Sequence, residues 1–167
     1  MQSFKIIKPI HILTPYVRYY WILEDGADVS VSERTLPTGC IQLVFHRGKR
    51  LLLVGKKESQ PQAFICGQCL NFSDVMSAGK IEMITVVFQP YAARAILQLP
   101  LKFFYGELIA VDAIEDLELS ILSRKVIEAD DHETCIRLIE QFLIHRLYRF
   151  EGYEYNFCLL YTSPSPR

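Results

Sequence analysis

A chain of 167 residues, half of them apolar and 12% aromatic, has the length of one domain. A domain of that size hides roughly 70% of the surface its unfolded chain exposes, which excludes a disordered tail. The formal charge is −1, with ten Lys and Arg against seven Asp and Glu in residues 1–90 and seven against twelve in 91–157. That balance excludes a chain gripping DNA phosphates unaided, because such a surface concentrates basic charge on one face.

In chain order, the first ninety residues read as β-rich. Tyr19–Leu23 is aromatic and β-branched and is closed by the turn formers Glu24-Asp-Gly26. Leu36-Pro-Thr-Gly39 reads as a turn, with Pro37 setting φ and Gly39 free to take a positive φ. Ile41–His46 and Arg50–Val54 flank Arg47-Gly-Lys49, two apolar runs joined by a three-residue loop, so a hairpin is expected there. Ala63–Cys66 is a short strand ended by Gly67, where a side chain would crowd a neighbour. Ile81–Phe88 is apolar on both faces, the mark of a central strand.

After Pro90 the period changes from strand to helix. Tyr91–Leu99 is Ala-rich and stopped by Pro100, a second short helix is expected within 101–110, and a third spans Glu115–Ala129. Asp130 and Asp131 supply an N-cap for a longer helix from about His132 to Arg149, along which Ile136, Ile139, Leu143 and Leu147 recur at helical spacing. Strands followed by helices give the α+β class. The architecture expected is a β-rich N-terminal half, built as a small barrel or cupin-like sandwich, followed by three to four helices.

The start of the chain lacks a secretory h-region, and no apolar stretch approaches the roughly 20 residues that span a bilayer. With an odd number of cysteines (Cys40, Cys66, Cys69, Cys135 and Cys158), the expectation is a cytoplasmic protein with reduced thiols and no membrane partner. The end of the chain is different in kind. Cys158-Leu-Leu-Tyr-Thr-Ser-Pro-Ser-Pro-Arg167 can be encoded by TGT CTC TTA TAC ACA TCT CCG AGC CCA CGA, which resembles a transposase-library adapter translated in frame. We therefore expect 158–167 to be a non-native tail, with natural sequence seen to Phe157.

Four segments carry a family resemblance: Pro9…Leu13-Thr-Pro-Tyr-Val17…Tyr20-Trp21, Leu36-Pro-Thr-Gly39…Gln42-Leu-Val-Phe45, Pro61…Ile65-Cys-Gly67-Gln68 and Val87-Phe-Gln-Pro90-Tyr-Ala-Ala93. Together, in this order and spacing, they resemble the N-terminal regulatory domain that precedes the helix-turn-helix module of AraC-type bacterial transcription regulators. The resemblance implies a sensor and dimerisation domain over 1–150, the start of a linker at 151–157, and DNA binding only through a C-terminal module beyond this chain. It also implies a small-molecule effector and a homodimer as partners. The reading from another class is a free-standing, cupin-like β-barrel enzyme or small-molecule-binding protein.

Chemistry-bearing motifs are sparse. Cys66-Gly-Gln-Cys69 has the spacing of a zinc or redox pair, but zinc needs two further ligands, and Cys66 ends a strand where a reactive thiol would sit at a helix N-terminus. His11, His46, His132 and His145 are scattered, with no close pair beside a carboxylate, so no metal and no cofactor are expected. No GxSxG elbow or phosphate loop is present, and the chain is expected not to be an enzyme. Arg47-Gly-Lys-Arg50 with Lys56-Lys57 is the one basic cluster, expected to solvate a turn. Should the β-structure hold a pocket, Trp21, Phe45 and Phe88 are the candidates to line it. On the last helix, Leu138, Phe142 and Leu147 are the candidates to meet a second copy.

Overall fold

The computed structural model describes residues 2–26, 32–35, 39–68, 72–77, 79–106 and 108–161, without the side chains of Glu33, Thr35, Leu101 and 150–161. The strands are β1 (Gln2–Ile7), β2 (Val17–Asp25), β3 (Ser32–Thr35), β4 (Gln42–His46), β5 (Leu52–Leu53), β6 (Glu58–Ser59), β7 (Ala63–Cys66), β8 (Ser73–Met76), β9 (Ile81–Phe88) and β10 (Ile109–Ala110). The α-helices are α1 (Ala93–Leu97), α2 (Leu117–Glu128) and α3 (His132–Tyr161). Strands then helices is the expected α+β order.

The strands form two antiparallel sheets. The larger has the order β1-β2-β9-β4-β7-β10 and the smaller β3-β8-β5-β6. Neither closes into a barrel, so of the two architectures expected the layered one is observed. β9 is central, as its two apolar faces require, with β2 on one side and β4 on the other. One of its faces, with Ile84, Val86 and Phe88, packs in the large core beneath the helices. The other, with Ile81 and Met83, packs in a smaller core against the second sheet. Side-chain alternation thus sorts the molecule into three layers: small sheet, large sheet, helices.

The expected hairpin between 41–46 and 50–54 does not form. β4 already has both edges occupied, by β9 and β7, so β5 pairs instead with β6 and β8 in the other sheet. Residues 47–49 are the crossing between sheets. Gly48 makes that crossing feasible: a Cβ there would lie 2.6 Å from the Glu82 nitrogen and 2.8 Å from the Lys80 oxygen, and the Gly48 N–H donates to the Glu82 carbonyl at 3.1 Å. Gly67 does what the sequence implied, since a Cβ would meet the Phe104 carbonyl group at 2.7 Å. Gly39 takes its turn with φ +66, while Pro37 lies outside the described residues.

The helices have physical endpoints. α1 stops where Gln98 adopts a left-handed φ of 54 and donates its N–H to the Arg94 carbonyl, two residues before Pro100. The helix expected within 101–110 shortens to one 3-10 turn, Leu101–Phe104, ahead of β10. Asp116 caps α2 by accepting from the Leu119 N–H at 3.0 Å. Asp131 caps α3 by accepting from the Thr134 N–H at 2.7 Å, which holds its carboxyl below the usual carboxylate range. Helix α3 buries Cys135, Ile136, Ile139, Leu143 and Leu147 in the large core, and each fully buried Leu or Ile contributes about 2 kcal/mol. Among the described residues no helix is long and apolar enough to cross a membrane.

Candidate functional site

Two neighbouring residues at the end of β4 face opposite ways and define the site. His46 points into the layer between the sheets, and Arg47 reaches toward the helices.

The layer between the sheets is apolar, built on Val44, Leu51, Phe64, Val75, Ile81 and Met83, with Trp21 and Leu23 packed at its margin. Within it His46 is fully buried, 5.8 Å from the Phe64 ring between centroids. Its Nε2 lies 2.9 Å from Gln60 Oε1, which requires the proton on Nε2 and leaves Nδ1 an acceptor. Burial pushes the imidazole pKa below its ordinary value, with Arg50 adding to the effect and the Gln60 bond opposing it. Nδ1 has no hydrogen-bond partner among the described residues, and neither has Thr85 Oγ1, also fully buried. In the β4–β9 register His46 is opposite Met83 and Val44 opposite Thr85, so the two unpaired polar atoms belong to diagonal neighbours on one sheet face. An unsatisfied buried polar atom costs about 1–3 kcal/mol. A ligand bringing a hydroxyl or N–H donor recovers that cost. The void at the margin of the layer, beside Leu23, Leu51, Val75 and Ile81, measures about 30 Å³. That is room for a water molecule, so anything larger has to part the sheets.

Arg47 joins the large sheet to the helices. Its Nε makes an ion pair with Glu82 Oε1 at 2.9 Å, Nη2 donates to the Ala129 carbonyl at 2.6 Å, and Nη1 donates to Cys135 Sγ. Burial pushes the Cys135 thiol up, against the lowering effect of Arg47, and the thiol donates to the Val126 carbonyl at 3.4 Å. Glu24 and Glu82 sit directly opposite on β2 and β9, a like-charge pair that would repel if left alone. Arg47 offsets that repulsion, and His132 Nε2 lies beside the pair, 3.0 Å from Glu82 and 3.7 Å from Glu24. The ligand atoms of Glu24, Glu82 and His132 all lie within 4.8 Å of one another. One imidazole and two carboxylates suit a divalent cation chemically. Here the guanidinium of Arg47 already meets the Glu82 oxygen that such an ion would need.

The residues singled out from sequence are dispersed. Trp21 lies on the face toward the small sheet, its ring tilted against that of Phe4 at 5.8 Å between centroids, whereas Phe45 and Phe88 are fully buried on the opposite face. The three line no common surface. Leu147 is 2% exposed within the core, while Leu138 and Phe142 flank it half-buried. Cys66 is half-buried at the end of β7, and Cys69 lies outside the described residues. Lys49 and Arg50 line an outer recess of about 330 Å³ with Gly48, Leu52, Ser59 and Gln62. The sequence places His46 at the end of an apolar run beside an expected hairpin loop, and in the fold its side chain is fully buried. The Arg47–Glu82–His132–Glu24 network has no local sequence signature, because its members are spread over 24 to 132 in the chain. The one legible signal was a cation, Arg47, ending an apolar run.

Residues 5–110 match a family described as a domain of unknown function, DUF6597. The matched span takes in both sheets, apart from the first residues of β1, and stops before α2. No curated protein matches the chain.

Proposed function

The chain belongs to the DUF6597 family, and we propose that this member is the effector-sensing regulatory part of an AraC-type transcription regulator. DNA is read, on this proposal, by a separate helix-turn-helix module, and this chain catalyses no reaction. The observation that carries it is the adjacency of His46, with its unpaired Nδ1 in the layer between the sheets, and Arg47, which holds the junction of α2 and α3. A neutral effector with a hydrogen-bond donor enters the layer, pairs with His46 Nδ1 or Thr85 Oγ1, and displaces the end of β4. Arg47 moves with it and re-sets α3. The effector acts by population shift: it favours the arrangement it binds better, by no more than its differential affinity.

The support is the order and spacing of the four resembling segments together with these unpaired polar atoms. The test is a thermal-shift panel of small metabolites on the purified chain, repeated with His46→Leu and Thr85→Val. A hit that stabilises the parent and is lost in both variants carries the reading. Specific operator binding by this chain alone, in a shift assay, sinks it. One observation favours a second reading, that of a free-standing metalloenzyme: the convergence of Glu24, Glu82 and His132. Stoichiometric zinc, iron or manganese in the purified protein would move the weight there.

A further inference from the structure

We infer that the outer recess beside the crossing between the sheets binds the phosphate group of a small phosphorylated molecule, with Lys49 and Arg50 as its cations. The site is separate from the layer that holds His46 and does not depend on the sensing role.

The crossing that replaces the expected hairpin is what builds it. Gly48 and Lys49 of the crossing and Arg50 just beyond form one side of the recess. Leu52 on β5 and Ser59 on β6 face each other in register and form a second side. Gln62, just ahead of β7, completes it, with its Nε2 donating to the His46 carbonyl at 3.4 Å. The Gln60 N–H donates to the Leu51 carbonyl at 2.7 Å, so the run of β6 stays alongside that of β5 for one residue more. Parity then sends Leu51 and Gln60 inward, where both are buried, and Leu52 and Ser59 outward to the recess. The same stretch of chain thus holds His46 on its inner side, through Gln60, and lines the recess on its outer side.

Charge in the recess is unbalanced. Its volume of about 330 Å³ falls in the range of small-molecule pockets, and its lining carries two cations and no acid. Neighbouring arginines are engaged: Arg47 with Glu82, and Arg34 with Asp74, which lies on the same face of the small sheet as Leu52. Glu58, beside Ser59 on β6, points to the other face by parity. Among the described residues neither Lys49 nor Arg50 has a carboxylate partner.

Two cations with the Ser59 hydroxyl and the Gln62 amide beside them match a phosphate monoester, which carries close to two negative charges and several acceptor oxygens. A single carboxylate would leave one of the cations without a counter-charge. Leu52 offers the apolar surface on which the carbon part of such a molecule rests. A DNA backbone is the poorer match, because it is gripped through a track of phosphate contacts and these two cations share one recess.

Amide chemical shifts of the whole chain, followed during titration with inorganic phosphate and then glycerol phosphate at fixed ionic strength, test this. We expect saturable shifts centred on residues 48–52 and 59–62. Lys49→Gln/Arg50→Gln should weaken both dissociation constants by about tenfold or more. Ser59→Glu, which sets a carboxylate beside the cations while leaving them in place, should weaken them as much. Lys57→Gln, which removes an exposed cation outside the recess, should leave them unchanged. Acetate should bind about tenfold more weakly than phosphate. Shifts that do not saturate, or that respond to Lys57→Gln as strongly as to the recess variants, overturn the site. Acetate binding as tightly as phosphate overturns the choice of ligand. So does a short random-sequence DNA duplex that displaces phosphate and loses affinity in the same variants, since the recess would then serve DNA.

Discussion

Arg47, just past the end of β4, donates to the carbonyl oxygen of Ala129, 2.6 Å away and immediately after α2. The pairing spans eighty-two positions in the chain and joins two of the three layers. A helix C-terminus leaves carbonyls without intrahelical partners and carries partial negative charge, so a guanidinium there satisfies both demands at once. The same side chain relieves the facing Glu24 and Glu82, so the sheet can carry two acidic residues side by side beneath the start of α3.

Arg47→Ala should therefore cost about 3 kcal/mol in urea unfolding, because it strands a half-buried Glu82 as well as the end of α2. Hydrogen exchange in the first turn of α3 should speed up in the same variant. Unchanged protection of residues 132–136 would mean that the Asp131 cap, not Arg47, fixes that turn.

Gly48→Ala and Gly67→Ala should each cost about 1–3 kcal/mol, since the added methyl overlaps backbone atoms that cannot rotate away. Gly55→Ala, where nothing lies within 4 Å, serves as the control. Midpoints from denaturant titrations of the three variants decide it. A tolerated Gly48→Ala would show that the crossing between the sheets has slack.

Much of the fold was legible from residues 1–161 because it follows local rules. β9 is apolar on both faces and ends up central; Asp131 caps, and Ile139 and Leu143 bury; Gly67 stands where a carbonyl approaches. Pairing partners were not legible. Apolar runs at 41–46 and 50–54 with a Gly-containing loop look like a hairpin, and only competition from β7 and β9 for the edges of β4 prevents it. The grouping of side chains in space is illegible for a related reason. Trp21, Phe45 and Phe88 share aromatic character, but strand parity sends Trp21 to one face and the other two to the opposite one. His46 and Arg47, next to each other in sequence, gained meaning only once the layers on either side of them were known.

Arg146 should matter far more than Arg149, although they lie on the same helix. Arg146 is 6% exposed, grips Asp116 through Nη2 at 2.7 and 2.8 Å, and donates to the Leu97 carbonyl at 3.3 Å, tying α1, α2 and α3 together. Arg149 reaches Glu118 at 2.9 Å from a side chain 53% exposed. Arg146→Ala should cost about 3–5 kcal/mol, and Arg149→Ala no more than about 1 kcal/mol. Equal losses in chemical denaturation would refute the distinction.

The sharpest solution test concerns His46 and pH. Its folded-state pKa is lowered below the ordinary 6.5, chiefly by burial, so the folded protein binds this proton less readily than the unfolded chain does. The stability that depends on the neutral ring is thus fully present above about pH 6.5 and is lost as pH falls through the lower, folded-state value. Asp74, held down by its bond to Arg34, and Asp131, held down by the Thr134 N–H, lose their contributions only below the ordinary 3.8. A decline that sets in as pH falls below about 6.5, above the range in which Asp74 and Asp131 act, is therefore expected from His46. His46→Gln, which keeps a donor for Gln60 but cannot titrate, should flatten that part of the curve. If urea midpoints of the parent chain stay level across the window, or fall equally in the variant, the buried neutral imidazole is not what governs them.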